Sequence, residues 1–152
     1  MILKKTNYMK TKLILGTVLS LFVLSGPFLE KHLSPAQPIS KNISVEVYKN
    51  ASYVSPAYSD TYATLQVTVV RVHGNERDTA WQHTFAPKQL SEYPACDKPM
   101  VQKISIPNVN DRKEKLEIYY RLTYNTNGSV LDFLNTTMIG KGQQTGRLNI
   151  KI

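Results

Sequence analysis

Apolar side chains recur at every second position in most of the chain, and this alternation is the main information the sequence carries. It is clearest in Leu116, Ile118, Tyr120, Leu122 and Tyr124, with Glu117, Tyr119, Arg121 and Thr123 in the gaps. A period of two describes a strand with one buried face. Asn127-Gly128 follows, a pair suited to the two positive φ angles of a type I′ turn. A two-residue loop there sets Tyr124 opposite Leu131, Leu122 opposite Phe133, Ile118 opposite Thr137 and Leu116 opposite Ile139. This register puts apolar against mostly apolar, so Leu131 and Phe133 are expected in the core.

The same reasoning yields further strands at 43–48, 62–72, 79–85, 102–106 and 147–152. A turn centred on Glu76 places Arg71 opposite Trp81, a cation–π pair, and Val69 opposite His83. Val70 and Val72 put apolar groups on the second face of their strand, which points to a bulge or a two-sided end. Lys88 to Glu92 is the one piece with a helical turn in prospect. Pro107 is expected to close the 102–106 strand. Parity pairs Ile139 with Leu148 across a loop at 140–147. Seven short strands with turn signals between them predict an all-β, seven-stranded antiparallel β-sandwich, immunoglobulin-like or transthyretin/C2-like.

The first 36 residues read differently. Lys4, Lys5, Lys10 and Lys12 precede an apolar run from Leu13 to Phe28, the pattern of a secretory signal or an uncleaved anchor. Pro35 and Pro38 lie in a polar linker, and residues 40–152 form the domain. The leader also changes the meaning of the charge. The chain is net +8, but five of its nineteen basic and one of its eleven acidic residues fall in 1–36, leaving +4. No Lys/Arg stripe survives, so nucleic acid is not an expected partner, and membrane contact is expected only through the N-terminal segment. Secretion or a place in the cell envelope is the expected location.

Candidate chemistry is sparse. Of His73, Glu76, Asp78 and His83, a possible metal or acid–base cluster, the two histidines lie about 13 Å apart along the ladder, too far to converge on one ion. Cys96 is the single cysteine, so no internal disulfide forms, and it sits in a proline-rich loop. Gly140 to Arg147 lacks the spacing of a phosphate loop. Asn42, Asn50, Asn127 and Asn135 head glycosylation acceptor patterns, with Asn135 expected to face Tyr120 inside and to be blocked. No metal, cofactor or catalytic residue is expected.

Tyrosines remain. Tyr48, Tyr53, Tyr58 and Tyr62, four of the nine, crowd one segment. Lys49 to Thr61 is long for a connection, and loops of that length are usually functional or disordered. A tyrosine offers a flat apolar face and a polar tip, suited to a protein or a glycan. The expected function is therefore a non-enzymatic exported domain that binds a protein or glycan at the cell envelope. A structural envelope subunit held by its N-terminal segment, with 147–152 as an open sheet edge, is the second reading, and a hydrolase the third.

Overall fold

A computed structural model describes residues 37–152. The leader, with its signal or anchor reading, lies outside the described residues. These residues are all-β, with eight strands and no α-helix among them: β1 (Ile39–Tyr48), β2 (Thr61–His73), β3 (Glu76–Thr84), β4 (Lys88–Gln89), β5 (Met100–Val109), β6 (Glu114–Thr126), β7 (Ser129–Ile139) and β8 (Thr145–Lys151). One sheet has the order β5-β1-β8. The other runs β3-β2-β6-β7, with β4 paired to β2. The alternating residues of both sheets meet in one core. Val45, Val47, Ile104 and Ile150 come from the smaller sheet, and Leu65, Val67, Leu116 and Ile118 from the larger. Two sheets over one apolar layer make a sandwich-like arrangement.

The β6–β7 hairpin has the expected register, including Leu122 opposite Phe133 and Leu116 opposite Ile139. Asn127 and Gly128 have φ of 50° and 85°, the two positive angles of a type I′ turn. Burial differs from the expectation. Residues 129–138 of β7 are exposed on both faces, and only Ile139 is buried. The larger sheet has five strands against three in the smaller, and one of its ends is β7. Leu131 and Phe133 thus continue the inner face of that sheet yet stay in water. Asn135 does meet Tyr120, donating from Nδ2 to the phenol at 3.1 Å, but in an exposed position rather than a buried one.

The β2–β3 hairpin turns earlier than expected, at Gly74-Asn75 rather than around Glu76, with His73 opposite Glu76. Val69 therefore faces Trp81 and Val67 faces His83. A bulge between Val69 and Val70 accommodates Ala80. Arg71 does not reach Trp81; its Nη2 donates to the Pro107 carbonyl at 3.0 Å. Glycine at φ +59° makes the tight turn available, and the charged residues that suggested a wider loop are strand residues instead.

β8 corrects the parity argument. It pairs in parallel with β1, Val45 beside Leu148 and Val47 beside Ile150, and so belongs to the other sheet. The connection after Ile139 is a crossing between sheets, not a hairpin. Gly146 makes that crossing close: a Cβ there would stand 2.9 Å from Ile139 Cδ1. β5 runs through Pro107 to Val109, which an edge strand tolerates because no ladder N–H is lost on its open side. Lys88–Glu92 divides into β4 and a 3₁₀ turn at Leu90–Glu92, where Leu90 is buried.

Two ionic groups join these strands. Lys41, on the inward-facing row of β1, is fully buried and donates to the Gly140 carbonyl at 2.9 Å. It also pairs with Asp111 in the β5–β6 turn, which accepts from the Gly142 N–H. Glu117 lies on the outer face of β6, buried beneath Arg77 and Lys115, each 2.9 Å away, and accepts from Tyr119. The Tyr119 hydroxyl, then Lys115, then the charge of Arg77 pull the Glu117 carboxyl down from 4.5 to about 2. A depressed carboxyl contributes stability that is complete above its unfolded pKa and is lost as pH falls through the folded one. Arg77 and Lys115 are half in water, so the contribution is on the order of 1 kcal/mol. Wild-type protein should therefore lose stability relative to Glu117→Gln between about pH 4.5 and 2 in acid denaturation. Parallel curves would refute the role.

Candidate functional site

Two of the four tyrosines come together. Tyr53 and Tyr58 lie in the β1–β2 loop with ring centroids 5.2 Å apart at 74°, an edge-to-face contact. The other two point elsewhere. Tyr48, at the end of β1, alternates with the buried Val47, and Tyr62 alternates with the buried Thr61 and Ala63, so each faces outward from a different sheet. Gln89 Nε2 donates to the Tyr62 hydroxyl at 3.3 Å.

The loop is tied down along its length. Pro56–Tyr58 forms a 3₁₀ turn capped by Ser55, whose Oγ accepts from the Ala57 N–H. Ser59 Oγ donates to the Pro56 carbonyl at 2.8 Å. The Tyr53 hydroxyl donates to the Ile152 carbonyl at 2.7 Å, and Asn50 N–H donates to the same carbonyl at 3.0 Å. Tyr53 thus packs against the core, where sequence alternation offered nothing to bury it. Its φ of 51° is costly for a bulky residue and persists only where surrounding contacts over-determine it. Burial, then Tyr58, pushes its phenol pKa up.

What this anchoring presents to solvent is Val54, 83% exposed, and Tyr58, 44% exposed. Tyr124 lies on the same face of β6 as the buried Leu122. Its phenol is pushed up to about 12 by burial first, then by Tyr53, Tyr93 and Tyr120. Tyr124 in turn meets Phe133 edge-to-face at 5.9 Å. This pair carries aromatic surface onto the uncovered inner face of β7. Sequence reading missed this continuation because it assigned Phe133 to the core. An aromatic row, Trp81 and His83 of β3 and Phe85 just past its end, has centroid spacings of 5.9 and 4.7 Å. His83 belongs to that row rather than to a polar cluster.

Several ionisable residues are engaged in pairs between strands. His73 Nδ1 lies 3.9 Å from Glu114, Glu114 accepts from the Asn110 N–H, and Arg147 pairs with Glu46 at 3.1 Å. Among the described residues, no group of three or more His, Cys, Asp and Glu side chains could hold a metal ion, and no helix is long and apolar enough to cross a membrane. Cys96 is exposed as a free thiol. One open depression crosses the smaller sheet between Ser44, Lys103 and Thr145, and another lies on the outer face of the larger sheet between Gln66, Tyr119 and Arg121. Comparison with known proteins returns no significant similarity: no family model, no curated protein and no solved structure matches this chain.

Proposed function

We propose that this protein is a non-enzymatic, exported binding domain that engages a protein partner at the cell envelope through the β1–β2 loop. The observation that carries the reading is a pre-ordered loop whose bound-down residues hold Val54 and Tyr58 out in water. Ordering a loop before association reduces the entropy lost on binding. An aliphatic group beside a tyrosine suits a protein surface, where tyrosines recur as hot spots. The basic and apolar leader supports export. The strand order supports an immunoglobulin-like assignment. β3-β2-β6-β7 follows the C′-C-F-G order of a variable-type sheet, and β5-β1 follows E-B, with β8 in the position of strand A but parallel to its neighbour.

The test combines the two claims. Protein recovered from the extracytoplasmic fraction should begin between Gly26 and Lys41 on N-terminal sequencing. The Val54→Ser/Tyr58→Ala variant should then lose more than about 2 kcal/mol of affinity for the captured partner. Its melting should barely change, since exposed positions usually shift stability by less than about 0.5 kcal/mol. Unchanged binding would refute the loop. Retention on a glycan array that depends on Tyr58 would reassign the partner to a sugar.

A further inference from the structure

We propose that β7 is a self-association edge: it pairs antiparallel with β7 of a second copy, around a two-fold axis through Leu134, to join two larger sheets into one. This goes beyond the loop reading and uses different residues.

β7 is bonded on one side only, to β6, and ends the larger sheet. A strand edge left open is a template for another strand, and proteins normally blunt such edges with lysine, proline, charges or bulges. The other free edges carry such devices. β3 opens with Glu76, Arg77 and Asp78 and contains a bulge, β5 has Lys103 and Pro107, and β8 has Arg147 and Lys151. β7 has no proline, no basic residue and no break in its register, and its one charge is Asp132. Val130, Leu134 and Met138 are each more than 60% exposed on its outer face.

The turn geometry fixes which backbone groups are available. A two-residue I′ loop makes Thr126 and Ser129 a hydrogen-bonded pair, and alternation then turns the N–H and C=O groups of the odd residues toward β6. Those of Val130, Asp132, Leu134, Thr136 and Met138 point outward. The Thr136 N–H agrees with this assignment, being bonded to its neighbour Asn135 Oδ1 at 2.8 Å rather than to β6, a bond that pairing exchanges for one to the second copy.

The occupant follows from self-complementarity. With Leu134 opposite its own copy, the overlap is complete, from Ser129 opposite Ile139 inward. Val130 meets Met138, and Asp132 meets the Thr136 hydroxyl. On the inner face Phe133 meets Asn135 and stands diagonal to its own copy, within aromatic reach. Even residues oppose even residues, so the outward groups of both strands match. A shift of the axis to Asp132 would set two carboxylates against each other, which is unfavourable.

The purified protein should elute at twice the mass of one chain in multi-angle light scattering at micromolar concentration. Leu134→Lys, a change at an exposed side chain, should return it to a single chain that melts where the wild type melts once diluted to single chains, with the concentration dependence of melting lost. Leu134→Cys in a Cys96→Ser background should oxidise to a covalent dimer, since a hydrogen-bonded pair holds its Cα atoms about 5.5 Å apart, within disulfide range. Val130→Cys in the same background should not, its two copies being about 27 Å apart along the ladder. A single-chain mass at every concentration would overturn the proposal and leave the edge to a different strand. A dimer that survives Leu134→Lys and gives no Leu134→Cys crosslink would also overturn it.

Discussion

Asp111→Ala should destabilise the domain by about 3 kcal/mol in chemical denaturation, the cost of leaving a buried charge without its partner. Lys41 has no exposed surface, and among the described residues its ammonium has Asp111 and the Gly140 carbonyl as partners. Removing the carboxylate strands a cation in the apolar layer. Asp111 also holds the Gly142 N–H, so the substitution releases the crossing that takes the chain from β7 to β8. Lys41→Met is the informative contrast. It fills the same space without a charge and leaves behind a carboxylate that is partly in water, so it should cost markedly less than Asp111→Ala. The Lys41 hydrogen bond first, and the Gly142 N–H next, hold the Asp111 carboxyl below its usual 3.8. Its contribution is present above that value and disappears as pH falls through the lower folded value. An Asp111→Ala loss under about 1 kcal/mol would show that the Lys41 ammonium reaches water by another route.

Leu122→Ala and Phe133→Ala should separate sharply although the two residues face each other across one ladder. Leu122 is 5% exposed and sits under the smaller sheet, so its truncation should cost about 2–5 kcal/mol. Phe133 is 50% exposed and loses mainly an edge contact with Tyr124, so its truncation should cost less than about 1 kcal/mol. Urea titration of both variants, at a protein concentration low enough to hold single chains, makes the comparison. Equal losses would mean that something covers β7 in solution. At high concentration Phe133→Ala becomes more costly if the β7 edges pair.

These two residues also mark where sequence stops being informative. The alternation from Leu116 to Tyr124, the Asn127-Gly128 turn and the whole β6–β7 register were legible because they depend on neighbours in sequence and on the backbone demands of a two-residue loop. The all-β class was legible for the same reason. Local pattern says which side chains share a face, but not whether anything lies over that face. Phe133 alternates as well as Leu122 does, and only the width of the opposing sheet makes one core and the other surface. The β2–β3 register shifted because a bulge at Ala80 and a glycine turn replace a loop whose charges looked like solvent. β8 left the hairpin series because parallel pairing with β1 brings together residues a hundred positions apart, a choice no local parity constrains. The tyrosine segment was legible as unusual composition. That Tyr53 anchors the loop while Tyr58 is presented was decided by the Ile152 carbonyl at the far end of the chain. In this protein the sequence determined strands, faces and one turn, whereas sheet membership, strand coverage and the exposed surface depend on long-range packing that only the folded chain sets.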